Sequence, residues 1–199
     1  MKLIILTGFL IAFFAFEKNG ENSWVNPSID KRFAEDSVLY LQKSIEFIKE
    51  VKAREMSDTN FVLVDTPAVY NLNKCLERTT MDTVTFTEAE RDYLKRKQYP
   101  KLGRWKDEHF SKTKIIGRHT LMKIFKLAPP AGWEFFKKHV GTEGYHIFSY
   151  PIFLKNYTYC LFYSEYYCEG IFCADGQLDI YKFENGKWIS IGGFCAWSA

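Results

Sequence analysis

The dipeptide Asn185-Gly186 constrains the fold of this chain more than any other feature. It separates two runs rich in β-branched and aromatic residues, "LDIYKF" before it and "KWISI" after it. Because both residues accept the positive φ angles of a type I′ turn, the pattern predicts a tight β-hairpin. The predicted register pairs Glu184 with Lys187, Phe183 with Trp188, and Ile180 with Ile191.

The strand before this hairpin is predicted from the run "NYTYCLFYSEYYC", which is β-prone and aromatic on both faces. A central strand covered on both sides has this composition. We therefore expect an antiparallel meander over residues 157–167, 177–183 and 187–197, with "HIFSYP" as a further strand and a bulge at Gly192 and Gly193. One face of the hairpin carries aliphatic side chains that we expect in the core: Leu178, Ile180, Ile189 and Ile191.

The first half of the chain carries helical patterns. Apolar residues recur at steps of four and three between Asp30 and Arg54, which places them on one face of an amphipathic helix. Thr87 and Glu90 have the spacing of a capping box, which predicts a helix over residues 88–98. The first apolar stripe consists of Ala34, Val38, Leu41, Ile45 and Ile48, and Phe47 and Val51 widen it.

The remaining segments complete the predicted fold. "FVLVDTP" indicates a buried strand over residues 61–64, and "WEFFKKHVG" a short helix that ends at Gly141. "TKIIGRHTLMKIFKLAPPAG" is predicted to be extended, with two strands around Gly117. We therefore predict one α+β domain over residues 30–199, in which N-terminal amphipathic helices pack on a C-terminal antiparallel β-meander of three to five strands.

The segment "MKLIILTGFLIAFFAF" at residues 1–16 has the pattern of an export signal. One cation, Lys2, precedes an apolar run that is too short to span a bilayer core of about 30 Å but fits the apolar region of a signal peptide. We expect a signal peptide over 1–16 and a polar linker over 17–29, hence a periplasmic, cell-surface or secreted protein. The alternative is an uncleaved N-terminal segment, which would be the one expected contact with a membrane.

Cys168 and Cys173, in "YCEGIFCADG", have the most informative spacing among the cysteines. Four residues separate them, rather than the two of a zinc knuckle or a redox C-x-x-C motif, so neither kind of site is expected. In an exported chain the spacing favours a disulfide between them. The hairpin register keeps a bond between Cys173 and Cys195 open as the alternative. Cys75 and Cys160 are predicted to be buried and inert.

The sequence lacks the motifs of common catalytic sites. Its four histidines lie outside any H-E-x-x-H pattern, and no G-x-S-x-G, P-loop or G-x-G-x-x-G stretch occurs. No catalytic residue, metal site or cofactor is therefore predicted. A nucleophilic pair of Cys160 and His146 stays open, although a lone cysteine in an aromatic strand is more often part of a core. Four carboxylates around the hairpin are either candidates for glycoside chemistry or solvated: Glu165, Glu169, Asp175 and Asp179.

The charge balance excludes strongly electrostatic partners. The chain has 27 basic and 24 acidic side chains and a net charge of +3, so no strong field favours nucleic acid or an anionic membrane. The run "LKRKQYPKLGRWK" places cations beside aromatic rings, as single-strand nucleic-acid sites do. Export and the small net charge argue against that interpretation, and no nucleic-acid partner is expected.

The C-terminal part of the chain contains four segments in a recognisable order: "SYPIF", "YCLFYSEYYCEGIFCADG", "LDIYKF" and "NGKW". Between residues 146 and 197 the chain resembles small exported bacterial proteins of unassigned function, in which an aromatic strand ends in a tip containing cysteine and glycine. The resemblance implies export and an α+β fold but no activity. The chain departs from that pattern at Cys168, which is followed by Glu169 instead of glycine.

The aromatic content of 18% is the unusual part of the composition. Together with the export signal and the lack of catalytic motifs, it favours a noncatalytic exported protein that binds a protein or a small apolar ligand through an aromatic surface near the meander. The alternative is a hydrolase with a pocket between the N-terminal helices and the sheet, using His146 or a carboxylate such as Glu165.

Overall fold

The computed structural model of the chain describes residues 37–71, 74–75, 86–96, 102–127, 131–170 and 173–199. The predicted signal peptide and polar linker lie outside these residues. The α-helices with both ends in the described ranges are α1 (Ser37–Val51), α2 (Ala53–Met56), α3 (Glu88–Arg96), α4 (Arg118–Leu127) and α5 (Gly132–Val140). The strands are β1 (Val62–Val64), β2 (Lys114–Ile116), β3 (Gly144–Phe148), β4 (Ile152–Leu154), β5 (Tyr159–Cys168), β6 (Asp175–Glu184) and β7 (Lys187–Ser198). No helix in the described ranges is long and apolar enough to cross a membrane.

The seven strands form one mixed sheet in the order β2-β1-β3-β5-β6-β7, and β4 pairs with the first part of β5. Strand β1 is parallel to both β2 and β3, whereas the remaining pairs are antiparallel. The α+β class is therefore confirmed. A simple C-terminal meander is wrong, because β5, β6 and β7 are extended on one side by strands from earlier in the chain.

The predicted hairpin turn is present, but the register changes along it. Asn185 and Gly186 both have positive φ, 51° and 79°, and the pairs nearest the turn are as predicted. A bulge then pairs Ile180 with Gly192, and a second bulge pairs Gly176 with Trp197. The expected bulge at the double glycine is thus confirmed. The expected core positions Ile189 and Ile191 are wrong, since each is 46% exposed on the edge strand.

Helix α1 packs on the sheet with most of the predicted face: Phe47 and Ile48 are buried, and Leu41, Ile45 and Val51 pack against the same core. The exceptions are Val38, which is 75% exposed, and Tyr40, which is buried. The Tyr40 hydroxyl donates to the carbonyl of Pro151 (2.7 Å) and accepts from the amide of Phe153 (3.2 Å). A buried hydroxyl needs such partners, and residues 111 and 113 positions away in sequence provide them.

Helix α4 corrects the prediction of an extended segment after Gly117. Its first backbone amide, that of Arg118, donates to the Asp65 carboxylate (2.8 Å), so the helix is capped by a residue that follows β1. By contrast, the two predicted helix boundaries with local determinants are confirmed. The capping box forms at Thr87 and Glu90, with Thr87 N to Glu90 Oε2 at 2.9 Å, and Gly141 ends α5 with a φ of 79°.

The sheet is covered on both sides. We call the side under α1 the α1 face and the opposite side, under α4 and α5, the α4 face. Neighbouring residues of one strand alternate between these faces: Leu63 packs with α1, and Val62 packs with α4 and α5. Large aromatic side chains fill the α1 face, and each buries a large apolar area. They are Tyr40, Phe47, Phe61, Trp105, Phe110, Phe148, Tyr150, Phe153, Phe162 and Tyr181.

The edge of β7 is partly protected by α1. The backbone amide of Trp188 donates to Glu50 Oε1 at 2.7 Å. This bond satisfies an amide near the turn that is directed away from β6, and it ties the hairpin to the first helix.

Four of the five cysteines form two pairs at disulfide distance. Cys168 lies beside Cys173, with 5.6 Å between their Cα atoms. Cys75 pairs with Cys195 across 120 residues, with a Cα separation of 5.7 Å. The expectation of an inert Cys75 and the alternative bond between Cys173 and Cys195 are therefore wrong, because the second bulge moves Cys195 away from its predicted neighbours. Cys160 is free and buried, as predicted.

The two bonds are expected to differ in their contribution to stability. The loss of loop-closure entropy in the unfolded chain is worth about 5 kcal/mol for a loop of the length closed by Cys75 and Cys195, and about 2 kcal/mol for the short ring. We expect the double variant C75S/C195S to lower the free energy of unfolding in urea more than C168S/C173S. Equal losses in the two variants would contradict this ranking.

Candidate functional site

A pocket of about 670 Å³ opens on the α1 face, beside the first residues of β3. Its volume is within the range of small-molecule sites. Helix α2, the loop before β1 and the loop after α5 contribute its rim, and β3 and β5 contribute its wall. The lining residues are Arg54, Glu55, Asp58, Asn60, Phe61, Gly141, Thr142, Glu143, Gly144, His146 and Tyr166.

His146 lies in this pocket between two aromatic rings. The Phe61 ring stacks on the imidazole with centroids 4.5 Å apart, and the Tyr166 ring lies 4.6 Å from it. Strand pairing brings the groups together, because His146 is opposite Tyr166 on β5 and beside Leu63 on β1. The two faces of the imidazole are thus covered, so a ligand would reach its ring edge.

Gly144 allows Tyr166 to take this position. A Cβ atom at Gly144 would lie 2.5 Å from the Tyr166 hydroxyl and 2.6 Å from the carbonyl of Tyr167. Real Cβ atoms do not approach heavy atoms so closely, and a backbone carbonyl cannot move away without disturbing the strand. Glycine is therefore required here for the pocket wall to form.

The imidazole of His146 is neutral at physiological pH. Burial lowers its pKa to about 4, and the charge of Lys52 acts in the same direction, while Glu55 and Asp58 oppose the shift. Within the described part of the chain, no group hydrogen-bonds to its ring nitrogens. A neutral imidazole offers one donor and one acceptor, and both are available to a ligand.

The carboxylates around the pocket already have partners. Glu55 pairs with Lys52 (3.3 Å) and Glu143 with Lys137 (3.5 Å). The Asp58 carboxylate accepts a hydrogen bond from the backbone amide of Asn60 at 2.9 Å. The rim is therefore polar and close to charge balance. No group of three metal-ligating side chains occurs among the residues that the structure describes.

The structure does not bring the other candidate residues into this pocket. Cys160 is fully buried, its thiol donates to the Leu161 carbonyl, and burial raises its pKa well above the ordinary value. It is absent from the pocket lining, so the pair of Cys160 and His146 does not form. A buried thiol with a raised pKa is a poor nucleophile.

The four carboxylates near the hairpin are dispersed. Glu169 pairs with Lys137 at 2.9 Å, and Asp179 accepts from the side chain of Gln177. Glu165 accepts from the Tyr163 hydroxyl at 2.7 Å on the α4 face. Asp175 is exposed at the start of β6. They do not form a pair that faces one substrate.

Sequence reasoning identified His146 but missed its surroundings. The run "FVLVDTP" predicts a buried strand that begins at Phe61, but it does not indicate that this ring meets His146. The partner of Tyr166 on β3 depends on a strand register that no local pattern specifies. Comparisons with protein-family models, with curated proteins and with solved structures found no match to this chain.

The lowered pKa of His146 predicts a pH-dependent stability. The unfolded chain, with a histidine pKa near 6.5, binds a proton before the folded one does as the pH falls. The contribution of His146 is therefore fully present above about pH 6.5 and is lost towards pH 4, by about 3 kcal/mol.

The measurement is the free energy of unfolding in urea at pH 7.5 and at pH 4, for the parent protein and for His146→Phe. Phenylalanine keeps a ring between Phe61 and Tyr166 but does not titrate. We expect the parent to lose about 3 kcal/mol more than the variant over this range. Equal pH dependence in both proteins would contradict the assignment.

Proposed function

We propose that this chain is an exported, noncatalytic binding protein that takes a small molecule in the His146 pocket. One observation carries the proposal: a neutral imidazole, with no hydrogen-bond partner among the described residues, lies between two aromatic rings in a pocket of ligand size. Small-molecule sites combine apolar and aromatic surface with a few polar groups that fix orientation. The pocket has aromatic surface from Phe61 and Tyr166, and its rim is more polar than that of most such sites.

The polar rim defines the ligand further. Phe61 and Tyr166 offer apolar surface, while Arg54, Asp58 and Asn60 offer charges and an amide. We infer that the ligand carries hydrogen-bonding groups, rather than being wholly apolar, because an apolar ligand would remove these groups from water without replacing their partners.

Export is supported by the cysteine pairs. Disulfides persist in the periplasm and outside the cell and are rare in reducing compartments. The two pairs at disulfide distance are compatible with the export signal that the sequence predicts. The resemblance to small exported bacterial proteins of unassigned function stays a prediction.

A hydrolase is the second candidate. It is favoured by the presence of His146 and three carboxylates in one pocket. An imidazole with a pKa of about 4 is a weak general base at neutral pH, because efficient bases have a pKa near the working pH. Hydrolysis of ester or glycoside substrates that is lost in His146→Phe would favour this candidate over simple binding.

The binding proposal can be tested with flat, neutral probes. Phenol and benzamide should shift the ring resonances of His146 in NMR titrations, since each can meet one nitrogen of the imidazole edge. Tyr166→Ala should weaken this binding at least tenfold because it removes one wall of the pocket.

Tyr167→Ala is the matched control, since Tyr167 is the next residue of β5 and points to the other face of the sheet. It should change the affinity less than twofold. Equal effects of the two substitutions, or no shift at His146 with either probe, would refute the site. Mass spectrometry of protein purified from the exported fraction would then identify the natural ligand.

A further inference from the structure

A second cluster lies on the α4 face, directly behind the His146 pocket. Tyr163, Glu165 and Tyr167 are alternate residues of β5 and therefore project to the same side. Trp197 of β7 joins them from across β6. We call these four residues the Glu165 cluster.

Hydrogen bonds fix the orientation of the carboxylate. Trp197 donates its Nε1–H to the Tyr163 hydroxyl (2.8 Å), and that hydroxyl donates to Glu165 Oε1 (2.7 Å). Burial raises the pKa of Tyr167 to about 12, and the charge of Glu165 and a hydrogen bond to it contribute to the shift. The Glu165 carboxylate thus accepts hydrogen bonds from the phenols of Tyr163 and Tyr167, and its remaining lone pairs can accept hydrogen bonds from a ligand.

Further rings support the walls of the cluster. Tyr70 stacks on Tyr163 with centroids 4.4 Å apart, and Tyr145 stacks on Tyr167 at 5.2 Å. The Trp197 ring lies 5.7 Å from that of Tyr167, inclined at 50°. Glu165, Tyr167, Tyr145 and Trp197 are only partly buried, so solvent reaches this arrangement of rings.

Gly176 makes the position of Trp197 possible. A Cβ atom there would collide with Nε1 of Trp197 and would lie 2.9 Å from the Tyr163 hydroxyl. The indole therefore crosses β6 at a residue without a side chain. Loss of this glycine would separate Trp197 from the carboxylate.

The chemistry of the cluster selects among ligand classes. An anion would be repelled by Glu165, and an apolar molecule would cover the carboxylate without neutralising it, which is costly. One carboxylate with phenols is a poor donor set for a metal ion, and no metal-ligating group of three occurs in the described residues. An organic cation gains from both the carboxylate and the aromatic faces.

We propose that the Glu165 cluster is a second binding site, which takes a methylated ammonium group on the solvent-exposed side of Tyr167 and Trp197, with Glu165 as its counter-ion. A cation within about 6 Å of an aromatic centroid is attracted to the ring face, and quaternary ammonium groups are recognised in this way. The proposal is independent of the His146 pocket, because the two sets of side chains lie on opposite faces of the same strands.

The positive charge of Arg118 acts on the same region. Burial raises the pKa of Tyr145 to about 12, and Arg118 opposes that rise, as it does for Tyr167. Arg118 begins α4, where its backbone amide is held by Asp65. Its charge weakens the attraction for a cation, so we expect the affinity for a simple probe to increase in Arg118→Gln.

The test uses choline and its uncharged isostere 3,3-dimethylbutan-1-ol as probes, with binding measured by calorimetry on the full chain. Choline should bind at least tenfold more tightly than the isostere. Glu165→Gln should lower the affinity for choline at least tenfold, since it keeps the size of the side chain and removes its charge. Trp197→Phe should also weaken binding, because it removes the Nε1–H donor that orients Tyr163.

Tyr166→Ala, on the opposite face, is the control and should leave choline binding within twofold of the parent. Thermal unfolding of each variant establishes that it is folded. Equal affinities for choline and the isostere, or unchanged choline binding in Glu165→Gln, would overturn the second site. Loss of choline binding in Tyr166→Ala would place the cation in the His146 pocket instead.

Discussion

Strand β5 is the element on which the rest of the structure depends. It pairs with β3 and β4 along one edge and with β6 along the other, and helices cover both of its faces. Its side chains therefore have to be large and mostly apolar in both directions. Burial of Phe162 on the α1 face and of Leu161 on the α4 face makes the middle of β5 the contact between the two halves of the core, and aromatic pairs add to that stabilisation.

The end of β5 beyond this core is less covered, and both candidate sites are found there. Successive register positions pair His146 with Tyr166 and Tyr145 with Tyr167, so one pair of strands supplies aromatic walls to both faces. The polar group differs between the faces: a neutral imidazole on one and a carboxylate on the other. The two sites can therefore share a rigid support and still differ in the charge of the ligand they accept. Such support is what precise binding geometry needs.

The sequence predicted those parts of the fold that depend on neighbours in the chain. The turn at Asn185 and Gly186 and the capping box at Thr87 are correct because each uses residues within a few positions. Helix α4 was missed because its cap, Asp65, comes from a distant part of the chain, directly after β1. The bond between Cys75 and Cys195 was missed because each bulge shifts the register by one residue and no local pattern states how many bulges a strand contains. His146 was a candidate from its residue type, but its environment depends on β1 and β5.

The bond between Glu50 and the amide of Trp188 also affects how this sheet meets other molecules. Strand β7 ends the sheet, is 12 residues long and contains a single charged side chain, Lys187, which makes it a template for another chain. A strand of another chain that approached β7 near the turn would meet the Glu50 carboxylate at the place where it would need a free Trp188 amide. Further along, the two bulges twist the edge out of the straight line that strand addition requires. The first helix and the irregular register thus act together as a barrier to polymerisation.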